Sequence, residues 1–251
     1  MNPVIDAMNN STLRNPVLLI HGIFDTKAIF KTMTSYLTQR GWEVHSLNLV
    51  PNDGRLGLER LAQQVADYIN HTFSSEQPID LIGFSMGGIV SRYYVQRLGG
   101  IERIQRLITI SSPHHGTLTG YLYPTLAASQ MRSNSPFLQD LNQDLETLNR
   151  INFTSIWTPY DGMIVPAQSS QMPIGQEFTV NVLVHAWMVS DPKCLVRVEE
   201  ALNAPLKTLP TPVSPTRVSK AVSFSKKAIA KPLMDSKFRG LFKQKISKLL
   251  K

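Results

Sequence analysis

Cysteine is almost missing from this chain of 251 residues. Cys194 stands alone, so no intramolecular disulfide can form, and that usage fits a reducing compartment. Long apolar runs are missing too: no stretch approaches the ~20 residues that cross a bilayer. The opening residues, MNPVIDAMNNSTLRNPVLLIHG, have no basic start followed by a long apolar segment, so no secretory signal is expected. Positive charge is scarce over most of the length. Residues 1–205 carry 14 Lys and Arg against 17 Asp and Glu, and residues 206–251 carry 12 against one. The net charge of +8 is therefore the property of a tail, and a mildly acidic main domain is a poor nucleic-acid binder.

What is present is ordinary globular material, 42% hydrophobic and 18% charged, enough for one well-buried core. Apolar runs alternate with amphipathic stretches. Strands are expected at Pro16–Ile20, Glu43–Val50, Ile79–Phe84, Ile104–Ile110, Ile151–Trp157 and Glu177–Val184. Helices are expected over Ala28–Arg40, Leu58–Phe73, Met86–Leu98 and Pro192–Leu202. This alternation predicts an α/β domain over 1–204, built on a mostly parallel sheet of about six strands with helices on both faces. Residues 113–150 break the rhythm and read as a small cap inserted into the domain. Residues 205–251 open with PLKTLPTPVSPT and read as a linker and tail.

The segment DLIGFSMGGIVSRYYVQ places a lone serine, Ser85, between an apolar strand and a helix. Gly83-Phe84-Ser85-Met86-Gly87 is a G-x-S-x-G pattern, in which small flanking residues let the chain bend tightly enough to present a hydroxyl above the sheet. A serine hydroxyl needs a base to take its proton, and the base needs a third group to orient it. Of six histidines only His114, His115 and His185 follow Ser85, and the histidine pair comes too early to leave a strand for an acid before it. His185 is the base by elimination. Asp161, in WTPYDGMIVP after the fifth strand, is the preferred acid over Asp140, Asp144 and Glu146, whose helical spacing reads as a solvated face. Oxyanion donors are expected from the backbone of Met86 and of the HGIF loop, with Ile23 preferred and Phe24 next. His21 and Asp25 are expected to shape that loop, and Asp53 and Arg55 read as loop residues at the site's edge.

With HGIF, GFSMGG, SSPHHGT, PYDGMIVP and VLVHAW in this order, the chain resembles the bacterial triacylglycerol lipases and esterases of the α/β-hydrolase superfamily, and looks most like the small class 2 lipase kind. The resemblance runs from about Asn15 to Asn203. It implies a minimal α/β-hydrolase fold, because the leading residues leave no room for extra strands. It also implies Ser85 as nucleophile, Asp161 as acid, His185 as base and Ile23 and Met86 as oxyanion donors. The expected activity is hydrolysis of lipid acyl esters or small esters through an acyl-enzyme, with no cofactor and no metal. An acyltransferase or thioesterase with the same triad is the alternative, as is a non-catalytic membrane adaptor. Tyr121, Leu122, Tyr123, Leu126, Met131, Phe137 and Leu138 in the cap either meet an acyl chain or pack the cap down. Residues 236–251 form a basic amphipathic pattern suited to an anionic membrane surface, to docking on the domain, or to disorder. A cytoplasmic protein, peripheral on a membrane, is the expectation.

Overall fold

A computed structural model describes residues 14–207. The expected basic pattern over 236–251 lies outside the described residues. Six strands form one sheet: β1 (Val17–Ile20), β2 (Val44–Leu47), β3 (Ile79–Phe84), β4 (Ile104–Ile110), β5 (Asn152–Trp157) and β6 (Gln176–Thr179). Their spatial order is β2-β1-β3-β4-β5-β6, and every neighbouring pair is parallel. The fold is that of an α/β protein with helices between parallel strands.

Continuous apolar strands have both faces buried, and alternate residues serve the two layers. Leu18, Ile20 and Leu81 point to one side. There they meet Leu61, Val65 and Ile69 of α2 (Leu58–Thr72) and Ile89 and Val90 of α3 (Met86–Arg97). Val17, Leu19, Ile82 and Phe84 point the other way. Their partners are Met33 and Leu37 of α1 (Lys31–Thr38) and Leu195 and Val198 of α6 (Pro192–Asn203). The first helix is shorter than expected, because Lys27–Phe30 forms a 3-10 turn capped by the Thr26 hydroxyl. The sixth strand is also short: Val180 and Val182 are buried, but Val182 O accepts the Thr158 hydroxyl instead of extending the ladder.

Residues 113–150 hold 3-10 turns and two short helices, α4 (Leu126–Gln130) and α5 (Pro136–Gln143). A fully buried arginine ties this segment to α3. Arg92 donates to Leu141 O at 3.1 Å, to Asn142 Oδ1 at 3.0 Å and to Gln96 Oε1 at 3.1 Å, and its Nη1 lies 3.2 Å from His114 Nδ1. These partners are neutral, and burial pulls the guanidinium down to about 9, which still leaves it charged at neutral pH. Arg92→Met keeps much of the volume but strands several buried acceptors, each costing about 1–3 kcal/mol, partly offset by removing a buried charge. We expect a loss of about 3 kcal/mol, read as a lower urea midpoint at unchanged slope. Among the described residues no helix is long and apolar enough to cross a membrane.

Candidate functional site

The carboxyl edge of a parallel sheet is where loops converge, and Ser85 sits there at the junction of β3 and α3. Its backbone has φ 54° and ψ −122°, a conformation that costs a non-glycine residue on the order of 1–3 kcal/mol. The bend explains the glycines. A Cβ on Gly83 would lie 2.5 Å from Gly88 Cα, and one on Gly87 would lie 2.1 Å from Ile20 O, so no side chain fits at either position. Ser85 N donates to Ile110 O at 2.8 Å, fixing the bend to β4.

Asp161 lies on the loop after β5. Its Oδ1 accepts the N–H groups of Met163 and Ile164, each at 2.9 Å, and its two oxygens lie 2.9 and 2.8 Å from His185 Nδ1. Burial pushes the Asp161 carboxyl up, but the hydrogen bond and charge of His185 and the two backbone N–H groups outweigh it, leaving the pKa below the ordinary value. His185 opens a 3-10 turn (His185–Val189), and its ring sits 4.8 Å, centroid to centroid, from the ring of Phe84. Since Phe84 immediately precedes Ser85, the imidazole lies beside the serine bend. With Nδ1 held by Asp161, Nε2 has no partner among the described residues.

The HGIF loop is fastened by its backbone. Phe24 N donates to Asn52 O at 2.8 Å, and Asn52 Nδ2 donates to Asp25 O at 2.7 Å. The Phe24 N–H is thereby engaged, while that of Ile23 has no acceptor among the described residues. Met86 is the first residue of α3, where N–H groups lack helical partners. His21 accepts Leu49 N through Nε2 at 2.9 Å and donates from Nδ1 to Gly22 O at 2.8 Å, which makes it a neutral strut between the exits of β1 and β2. Burial holds its pKa below the ordinary value, partly opposed by the Gly22 hydrogen bond and by Asp25.

A narrow cleft opens beside Ser85 between Ile23, Tyr123, Met131, Met163 and Ile164. The cap's apolar residues thus divide three ways. Tyr123 and Met131 line this cleft. Leu138 is buried in the core and Phe137 stacks on Tyr93 at 5.3 Å. Tyr121, Leu122 and Leu126 face outward. Asp53 and Arg55 pair with each other at 2.9 Å in an exposed loop. A wider hollow of about 320 Å³ lies at the opposite, amino edge of the sheet, but its lining, which includes Ser75, Arg103 and Arg150, carries no activated nucleophile. His114, left aside by the sequence reading, is buried between Arg92 and Thr109, and Arg92 itself gave no signal, since an arginine on a helix ordinarily reads as solvated.

The palmitoyl protein thioesterase family pattern matches residues 16–136, which include Ile23, Ser85 and Met86 and stop before Asp161 and His185. The chain is 32% identical to the lysosomal thioesterase PPT2 of Homo sapiens over 127 residues, covering 47% of this chain and 41% of that protein. The chain thus spans about two fifths of the length of the curated relatives it matches. Among solved structures it is similar to the mature form of Bacillus licheniformis lipase BlEst2, with a TM-score of 0.62 and 13% identity over 75% of this chain and 92% of that one. Aspergillus fumigatus lipase B gives a TM-score of 0.63 and 20% identity over 76% of this chain and 53% of that one. The chain has the α/β-hydrolase fold.

Proposed function

We propose that the protein is a serine hydrolase that cleaves fatty-acyl esters, acyl thioesters foremost, through an acyl-enzyme on Ser85. The observation that carries the reading is the Asp161–His185 pair set beside a strained Ser85. In it, His185 Nε2 takes the Ser85 proton as Oγ attacks the acyl carbon. Asp161 holds the imidazole with its Nδ1 protonated, and the N–H groups of Ile23 and Met86 receive the oxyanion. The imidazolium then protonates the departing thiolate or alkoxide, and water enters by the reverse route.

The choice of substrate rests on two supports. One is the thioesterase family pattern. The other is the apolar character of the site's surroundings: Phe24, Tyr121, Leu122, Leu183 and Trp187 are each at least half exposed, on loops that leave the carboxyl edge. Such a rim suits an acyl chain drawn from a lipid surface. A buried, unpaired Cys194 fits the expected cytoplasmic setting.

Matched palmitoyl and butyryl substrates, each as thioester and oxygen ester, test the reading when offered to protein that labels with a fluorophosphonate. Faster turnover of the palmitoyl thioester, by kcat/KM, is expected. Labelling with preferred turnover of short oxygen esters would reassign the substrate, and a folded protein with neither labelling nor turnover would end the proposal.

A further inference from the structure

Asp25 carries a carboxylate that the loop around it does not use. The loop is fastened by main-chain groups and Asn52, and no donor among the described residues reaches either Asp25 side-chain oxygen. The carboxylate is nonetheless set against the reacting groups. The point where a Cβ on Gly22 would lie is 2.9 Å from Asp25 Oδ2 and 3.1 Å from Ser85 Cβ, so the two close on one spot. Half-burial raises its pKa above the ordinary value, while the neighbouring imidazoles of His21 and His185 act to lower it. An anion here opposes the oxyanion that must form nearby, but partly exposed beside Ser85 it is placed to accept a hydrogen from a water held between it and the reacting carbon.

We propose that Asp25 is a positioning residue for the water that cleaves the acyl-enzyme, and hence that this site selects water as acyl acceptor. The inference rests on Ser85 and His185 acting as proposed above. In the step, one hydrogen of the water goes to His185 Nε2 and the water oxygen bonds to the acyl carbon. The second hydrogen stays on the water oxygen and donates to Asp25. The bond from the acyl carbon to Ser85 Oγ then breaks, and Nε2 returns its proton to Oγ. Asp25 keeps its own protonation state throughout. His21 cannot take this part, since both its ring nitrogens are committed to the backbone. Asp161 cannot either, since it is filled by His185, Met163 and Ile164.

The test uses the full chain and 4-nitrophenyl butyrate, comparing native protein with Asp25→Ala and Asp25→Ser. Acylation, read as the burst, is expected to persist while the following steady rate falls about ten- to a hundredfold. Methanol supplies a sharper reading. It has one hydroxyl hydrogen and cannot serve His185 and Asp25 together, so native protein should favour water over methanol and both variants should lose that preference. An unchanged partition ratio, or burst and steady rates that fall in equal measure, would overturn the inference and leave the serine hydrolase reading standing. A native protein with no burst and no fluorophosphonate labelling would overturn both. Asp25→Ser gives the answer if Asp25→Ala does not fold.

Discussion

Ser85→Ala is expected to abolish fluorophosphonate labelling and to lower acyl-ester turnover about 10⁴- to 10⁶-fold, leaving only what binding and the oxyanion donors supply. The effect is large because, in the proposed mechanism, Oγ is the atom that forms the covalent bond, and no neighbouring group can replace it. The cost in stability has the opposite sign. Ser85 makes no side-chain hydrogen bond among the described residues, and it holds φ 54° and ψ −122° at the tightest bend of the chain. Removing the hydroxyl strands no partner, and Ser85→Gly relieves backbone strain as well, so the glycine variant should gain about 1 kcal/mol over the native protein in urea unfolding. Dead and more stable is the signature of a residue placed for chemistry. An alanine variant that keeps more than a tenth of the activity would remove Ser85 from the mechanism.

How much of this was legible in sequence depends on how local each interaction is. The bend at Ser85 is written in five consecutive residues, and the glycines it needs answer to contacts made by the adjoining strand and helix. Strand β4 was read to its last residue because Ile104, Leu107, Ile108 and Ile110 mark it and Arg103 and Ser111 bound it. The VNVLV run after β6 misled, since alternation places Val180 and Val182 in the core but says nothing of the Thr158 hydroxyl that takes Val182 O once Val180 N has bonded to Trp157 O. Arg92 was illegible for a stronger reason: Leu141, Asn142 and His114 reach it from 22 to 50 positions away, and without them its charge marks a solvated face. Asp25 was read as loop structure. Only the main-chain bonding of the loop frees its carboxylate for another part.

Asp161→Asn should lower kcat by about 10⁴ without loss of the fold, and the reason lies in its other partners. Oδ1 of Asp161 accepts two backbone N–H groups as well as His185. An asparagine must keep its carbonyl oxygen there to satisfy Met163 and Ile164, which turns its NH₂ toward His185 Nδ1. Nδ1 then accepts instead of donating, the ring proton moves to Nε2, and Nε2 can no longer take the serine proton. The same pair makes a pH prediction. The folded-state pKa of Asp161 is depressed, so the stability it contributes is fully present above the unfolded value near 3.8 and is lost as pH falls through the lower folded value. The difference in unfolding free energy between native protein and Asp161→Asn should therefore shrink as pH falls from about 5 to below 4. A difference that instead grows over that range would mean that the buried carboxyl is held in its protonated form.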